Sequence, residues 1–401
     1  MIRKVSFSNF YSFNQKQEIS FLAKKKTSYA YAKTTSNNYI TKVGAFIGGN
    51  ASGKTNIMRL FSFLSYFVCL SSKKDGSVPE NDIAFKTFFD NKRPSEFYLE
   101  CENKQNIFYY YLTIKNNIVL REELYFKKKK VRARKKNIFI RAKNDIRSFN
   151  KTLFRNFPIK FIKNIRLDVS LIAFLKSHYN IEIINEIYTY FANFKTNINE
   201  SGQILHYFPP EQFKTLGMYL SDTNLKNEVE ELLSNFDLGL SGFRIEKSEA
   251  IVPISGKHEI TLSVFGKHQT ANGNKELKFT YESSGTKSLF FTLGNILTAL
   301  RNDSVIIIDE FEFGLHPEAL NQLLYYFIDK NKNHRAQILF SSNCHDFMRR
   351  LDMHQIYLVE KNDVGESRVF RLNEVEGVRS DENFLNKYRS GAYGGFPKIR
   401  I

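Results

Sequence analysis

Hydrophobic and polar positions follow two different periods along the chain. Residues 2–10 (IRKVSFSNF) and 17–23 (QEISFLA) alternate as half-buried strands do, and 41–48 (TKVGAFIG) is a short apolar run leading into a glycine-rich loop. The stretch that follows, 56–70 (NIMRLFSFLSYFVCL), repeats its apolar positions at helical spacing. Residues 94–114 alternate and turn like an antiparallel meander, and 117–126 (NIVLREELYF) with 137–142 (NIFIRA) predict a β-ribbon. The period then lengthens: 170–194 and 225–236 (LKNEVEELLSNF) are helix-length, so 145–237 is expected to be a helical insertion. Strands return at 259–266 (EITLSVFG) and 275–282 (KELKFTYE), joined across an Asn-Gly turn signal. In 281–300 small polar residues give way to a helix with Leu289, Leu293, Ile296, Leu297 and Leu300 on one face. The pattern is therefore α/β. It divides into 1–144, holding the glycine-rich loop, meander and ribbon, the insertion 145–237, and 238–401, where the α/β head is completed.

Composition narrows the class. A chain of 401 residues has ample material for a buried core, and its three cysteines, Cys69, Cys101 and Cys344, have neither disulfide-framework nor zinc spacing. The longest apolar stretch, near Leu60 to Leu70, is broken by serines and too short to span a bilayer, so a cytoplasmic protein with no membrane partner is expected. The formal charge of +18 is concentrated: from Arg121 to Arg166 there are 17 Lys and Arg against 3 acids, or 17 − 3 = +14. Its densest part is the ribbon turn, with Lys127, Lys128, Lys129, Lys130, Arg132, Arg134, Lys135 and Lys136. Such a run reads equally as a solvated hairpin tip and as a contact for nucleic acid or a partner.

Chemistry enters at FIGGNASGKTNIM, Phe46 to Met58. Gly48, Gly53, Lys54 and Thr55 satisfy G-x-x-x-x-G-K-[ST], with Gly49, Asn50, Ala51 and Ser52 between them and Asn56 after. Strand, loop and helix follow in the order a phosphate cradle needs: backbone N–H groups turn onto the phosphates, Lys54 reaches the β/γ oxygens, and the Thr55 hydroxyl can ligate Mg²⁺. The second motif, SVIIIDEFEFGLHP (Ser304 to Pro317), is a continuous apolar run ending in two carboxylates, as a fully buried parallel strand delivers acids to its C-terminal edge. Asp309 suits Mg²⁺ and Glu310 suits the attacking water, because phosphoryl transfer asks chiefly for positioning and charge neutralisation. The third is the Ser283-Ser284-Gly285 start of the 281–300 helix, an anion site or an ordinary N-cap.

Together these motifs resemble ABC-type P-loop ATPase heads of the RecF, SMC and OLD kind, and most of all the compact AAA-type ATPases of bacterial abortive-infection and anti-phage systems. VSFSNFYSF, GGNASGKT, PSEFYLE, LREELYF, ESSGTKS, IIIDEFEFGLHP, QILFSSN and the tail carry the resemblance over nearly the whole chain. It implies a head with a mixed central sheet, an antiparallel β lobe and a helical insertion. It also implies Mg-dependent ATP hydrolysis in a homodimer or larger homo-oligomer that sandwiches the nucleotide. Ser283, Ser284 and Gly285 would then meet the γ-phosphate held by the partner's P-loop. The implied role is a switch controlling a separately encoded effector, a toxin or nuclease; the alternative is a RecF/SMC-like DNA-binding ATPase of repair or recombination. Some positions depart from the pattern. Tyr11 stands where many relatives have arginine, and no Q-loop glutamine can be placed in the meander. Only 401 − 310 = 91 residues follow Glu310, too few for the Toprim nuclease of OLD proteins. The switch position after 336–342 (AQILFSS), commonly histidine, falls on Asn343, with His345 two residues later. Counting four and five from Asn343 reaches Phe347 and Met348, which suit a buried face, whereas counting from His345 reaches Arg349 and Arg350, so the register favours Asn343.

Overall fold

A computed structural model describes the chain apart from residues 25–27, 35–37, 73–84, 131, 155–164, 200–201, 204–208, 237–238, 252–257, 313 and 397–401. β1 (Ile2–Ser8) and β2 (Gln17–Ser20) pair antiparallel. β3 (Val43–Ile47) is buried at every residue and runs into α1 (Lys54–Leu70). β4 (Ser95–Glu102), β5 (Asn106–Lys115), β6 (Ile118–Lys128), β7 (Lys136–Ala142) and β8 (Asp145–Phe149) form the meander and ribbon. They make, with β1 and β2, a seven-stranded antiparallel lobe in the order β8-β7-β6-β5-β4-β1-β2. Alternation does the work here, with Phe108, Tyr110, Leu112 and Ile114 of β5 pointing inward.

The expected insertion is helical in four pieces: α2 (Leu171–His178), α3 (Glu182–Ala192), α4 (Pro209–Ser221) and α5 (Thr223–Asn235). Its proposed start at 145 falls inside the lobe, because β8 is the lobe's edge strand and pairs with β7. It also contains β9 (Lys195–Thr196), which joins the central sheet beside the strand that leads to Asp309 and Glu310, so the insertion is stitched into the head. The boundary at 237–238 lies outside the described residues. β10 (Leu240–Ile251), β11 (His258–Thr270) and β12 (Gly273–Lys278) form an antiparallel three-stranded sheet, with the β11–β12 turn at the Asn-Gly signal.

α6 (Ser284–Arg301), β13 (Val305–Ile308), α7 (Pro317–Lys330), β14 (Gln337–Ser342), β15 (Ile356–Lys361), β16 (Ser367–Arg371) and the short α8 (Phe384–Arg389) complete the head. The central sheet has the order β9-β13-β14-β3-β15-β16, parallel except for β16. One face, with Phe46, Ile307, Leu339 and Tyr357, packs in a core shared by α1, the lobe, α2 and α3. The other, with Ala45, Ile308, Ile338 and Phe340, packs in a core shared by α5, α6 and α7. Helix α1 is thus gripped between lobe and sheet, which fixes the loop at its N-terminus.

A buried ionic network ties the lobe to the insertion. Glu122 and Arg141 both have fully buried side chains and lie 3.3 Å apart. Glu122 also accepts from Tyr110 Oη (3.0 Å), Ser170 Oγ (2.7 Å) and the Leu171 N–H (2.8 Å), while Arg141 donates to Val169 O (2.6 Å) and Arg166 O (3.0 Å). Removing one partner leaves the other buried and uncompensated. Glu122→Ala is therefore expected to lower the unfolding free energy by about 3–5 kcal/mol, checked by urea denaturation against the wild-type chain.

Candidate nucleotide site

The glycine-rich loop leaves β3 at the C-terminal edge of the parallel strands and is held there by close packing. A Cβ on Gly48 would sit 2.1 Å from Val359 O of β15, so only glycine fits. Gly53 has φ 116°, and a Cβ there would meet Ser367 Oγ at 2.6 Å. Ser367 Oγ donates to Ser52 O (2.6 Å) and lies 2.8 Å from Ser12 Oγ, which accepts from Asn56 Nδ2 (2.9 Å). Lys54 is buried and its Nζ donates to Gly48 O and Gly49 O, both at 2.8 Å. Gly49 is half-buried and Asn50 and Ala51 exposed, while Thr55 and Asn56 are half-buried in the first turn of α1. Ser52 is buried and its Oγ has no hydrogen-bond partner among the described residues. A Gly-rich loop whose glycines cannot be replaced, opening a helix N-terminus, is suited to phosphate.

The acids arrive from β13, which β14 separates from β3. Asp309, only 2% exposed, follows β13, and its Oδ1 accepts from Ser341 Oγ of β14. Ser341 Oγ in turn accepts the Glu310 N–H at 2.9 Å. Glu310 adopts φ 51°, a left-handed conformation that L residues other than Asn and Asp seldom take, and its exposed side chain is turned away from the strand's course. Partial burial, then the charges of Asp309 and Glu312, raise the Glu310 carboxyl above the usual range. Burial lowers the Lys54 ammonium, against the opposing pull of Glu312, Asp309 and Glu310. Lys54 and the three carboxylates therefore act on one another across a single site. Asp309 and Thr55 are hard oxygen donors of the kind Mg²⁺ takes. Among the described residues no three His, Cys, Asp or Glu side chains converge on a metal position, so a divalent ion here would lean on the nucleotide phosphates as much as on the protein.

Ser12, Glu312, Ser341 and Ser367 lie in stretches that carry the resemblance, but nothing there assigns them a contact, and Asn197 lies outside those stretches. Asn197, directly after β9, pairs with the backbone of Asp309 in both directions: its Nδ2 donates to Asp309 O (2.9 Å) and its Oδ1 accepts the Asp309 N–H (2.8 Å). Only the two-residue edge strand that precedes it places it there.

At the end of β14, Asn343 is exposed and its N–H donates to Glu312 Oε1 at 2.6 Å. His345 is half-buried, its ring 4.9 Å from that of Tyr388 and 6.2 Å from that of Phe396, and burial followed by the charges of Arg389 and Lys54 lowers its pKa. Phe347 and Met348 are buried and Arg349 and Arg350 exposed, and the segment is a five-residue 3-10 turn, His345–Arg349. Ser283 caps α6 by accepting the Thr286 N–H at 3.0 Å; Ser283 and Ser284 are exposed and Gly285 is buried. A Cβ on Gly314 would lie 4.0 Å from Ser284 Oγ, so the α6 N-terminus sits beside the loop that follows the acids.

In the basic turn Lys128, Lys130, Arg132, Arg134, Lys135 and Lys136 are exposed and Lys127 half-exposed. Two of the eight cations are engaged within the fold. Lys129 pairs with Glu102 at 2.8 Å, and Lys135 Nζ lies 4.5, 5.0 and 4.4 Å from the ring centroids of Tyr109, Tyr111 and Tyr125.

A family model described as "AAA domain, putative AbiEii toxin, Type IV TA system" matches residues 45–342, from β3 to the last residue of β14. The chain belongs to this family. The match takes in both the phosphate loop and the acids, and the architecture around them is that of a P-loop ATPase head. Similar solved structures include an SMC head bound to the C-terminal winged-helix domain of ScpA (12% identity, TM-score 0.44, 92% of this chain and 96% of that one). Others are the SMC head of Thermotoga maritima (13%, 0.41, 92% and 98%) and a Pyrococcus furiosus SMC head with an extended coiled coil bound to the C-terminal domain of ScpA (14%, 0.45, 93% and 97%). No functionally curated protein matches the chain. No helix among the described residues is long and apolar enough to cross a membrane.

Asn197→Ala removes two hydrogen bonds to the Asp309 backbone at once. The expected result is a loss of about 1–3 kcal/mol in unfolding free energy, measured by chemical denaturation, with Lys195→Ala on the same edge strand as the reference.

Proposed function

We propose that the protein binds and hydrolyses ATP and serves as a nucleotide-driven switch in bacterial abortive-infection or anti-phage defence, acting on a separately encoded toxin or nuclease. The observation that carries the chemistry is the convergence of Lys54 with Asp309, Glu310 and Glu312 at one end of the parallel sheet. The family description supports the defence setting. The loop from Gly48 to Gly53 cradles the phosphates with its N–H groups and Lys54 neutralises their outer oxygens. Thr55 and Asp309 would hold Mg²⁺, which supplies charge neutralisation to the phosphates when bound. Glu310, whose raised pKa makes it the stronger proton acceptor, orients and deprotonates the attacking water. Asn343 donates to the γ-phosphate from the switch position. An asparagine amide carries no titrating proton, so turnover has no switch-histidine pKa near neutrality.

The α6 start, with Ser283 and Ser284 exposed and Gly285 buried behind them, is offered to a second copy. ATP would close such a homodimer or larger homo-oligomer and hydrolysis would reopen it, the two states differing in affinity for the effector. The six exposed cations of the ribbon turn favour a second reading, a RecF/SMC-like ATPase that binds DNA through the hairpin; duplex binding that weakens steeply with salt and tightens with ATP would select it. A soluble cytoplasmic setting fits either reading.

Two variants separate binding from chemistry. Lys54→Ala is expected to abolish or greatly weaken ATP binding, whereas Glu310→Gln keeps ATP bound and accumulates the closed oligomer, seen by size exclusion with Mg-ATP. Undiminished affinity in the first, or unchanged turnover in the second, would defeat the assignment. At the switch loop Asn343→Ala is expected to slow hydrolysis by about ten- to a thousandfold and His345→Ala to change it little, in steady-state phosphate release. The opposite order would make His345 the γ-phosphate contact.

A further inference from the structure

The segment after β13 carries a third acid that the hydrolytic scheme leaves without a task. Phe311 stands between Glu310 and Glu312 and is wholly buried. Its N–H donates to Ser341 O (3.0 Å), and its ring packs 4.6 Å from Phe340 and 5.6 Å from Phe347. With Phe311 pinned to the core, the residues on either side of it are held by the same anchor. The Glu312 carbonyl is fixed as well, accepting the Leu315 N–H at 2.7 Å. The Glu312 side chain therefore has little freedom to choose its position.

Its two carboxylate oxygens have different surroundings. Oε1 accepts the N–H of Asn343 at 2.6 Å, a charge-assisted bond at the short end of the usual range, made between the loops that follow β13 and β14. Oε2 is shielded from solvent and no group donates to it among the described residues. A buried carboxylate oxygen without a donor costs about 1–3 kcal/mol or more and is rare in folded chains. Glu312 also acts electrostatically on Lys54, on Glu310 and on His345, which places it on the cradle side of the loop.

We propose that Glu312 is a positioning residue of the nucleotide site: Oε1 latches the Asn343 loop to the loop bearing Asp309 and Glu310, and Oε2 accepts a hydrogen bond from a donor that comes with the bound nucleotide. The latch makes the switch residue and the two catalytic acids move as one unit. Its charge adds a third negative group beside an anionic substrate, so Glu312 does not serve to attract ATP. Its contribution is to the geometry of the reacting complex, where a displacement of about 1 Å costs on the order of a hundredfold in rate. The kinetic part of this inference rests on the ATP-hydrolysis reading; the latch itself does not.

The test uses the full chain with two substitutions and two readouts. Hydrogen–deuterium exchange followed by mass spectrometry reports the peptide containing Asn343. Its amide is expected to be protected in the wild type and in Glu312→Gln, which keeps an acceptor at Oε1, and to exchange faster in Glu312→Ala. Steady-state hydrolysis is expected to fall in kcat by about a hundredfold in Glu312→Ala and by about tenfold in Glu312→Gln, which loses only the second acceptor, with KM for ATP changed by less than about threefold in both. Unaltered exchange in Glu312→Ala would overturn the latch. A rise in KM with kcat unchanged would assign Glu312 to binding, and equal kcat in all three chains would remove it from the reaction; either outcome overturns the proposal. Should the wild type not hydrolyse ATP, the exchange experiment still decides the latch, and the failure belongs to the enzymatic reading.

Discussion

Strands β3, β13 and β14 are buried along their whole length on both faces, and a charge set anywhere within them would lose its hydration without a partner. Polar chemistry can therefore begin only where the strands stop. The Gly48 loop, Asp309 and Asn343 are the first residues past three neighbouring strand ends, so the register of the parallel pairing is what brings them to one edge. Ile308 pairs with Phe340 and Ser342 with Ile47, which leaves Ser341 level with the two acids and able to bond both. A one-residue slip would send each of these side chains to the opposite face.

The same edge concentrates opposing charges in a partly dry place. Lys54 is held on loop carbonyls while three carboxylates act on it, and the Glu310 carboxyl is raised by partial burial and then by neighbours of the same sign. Neither effect would survive full solvation, since water would screen both. The packing that makes Gly48 and Gly53 irreplaceable also keeps this electrostatic contrast from being diluted.

The cradle and the acids were legible in the sequence because each is a contiguous string with unusual residue types in a fixed order. The strands of the lobe were legible for a related reason: Phe108, Tyr110, Leu112 and Ile114 alternate with polar or half-exposed neighbours. Contacts that join distant segments left no such trace. Asn197 reaches Asp309, and Ser367 reaches Ser52, across most of the fold, and nothing local to either residue announces the partner. Edge strand β9 is too short to show a period, so the segment around it read as continuous insertion. The stretch 170–194 read as one helical region, yet it breaks between His178 and Glu182, where the α2 cap residue Tyr179 is already extended. The basic run was counted correctly as a sum, but the sum could not tell which cations the fold had already engaged.

Lys135 rests among three tyrosines on the lobe and Lys129 is tied to Glu102, so the ribbon turn is fastened at both shoulders. The exposed cations beside those shoulders, Lys128 and Lys136, are carried on strands and not on a loose tail. Such a comb has little chain entropy left to lose when a polyanion meets it, and its cations keep their spacing beforehand. It would distinguish ligands by the pitch of their negative charges as well as by their number, a selectivity that a disordered lysine-rich segment of equal charge lacks.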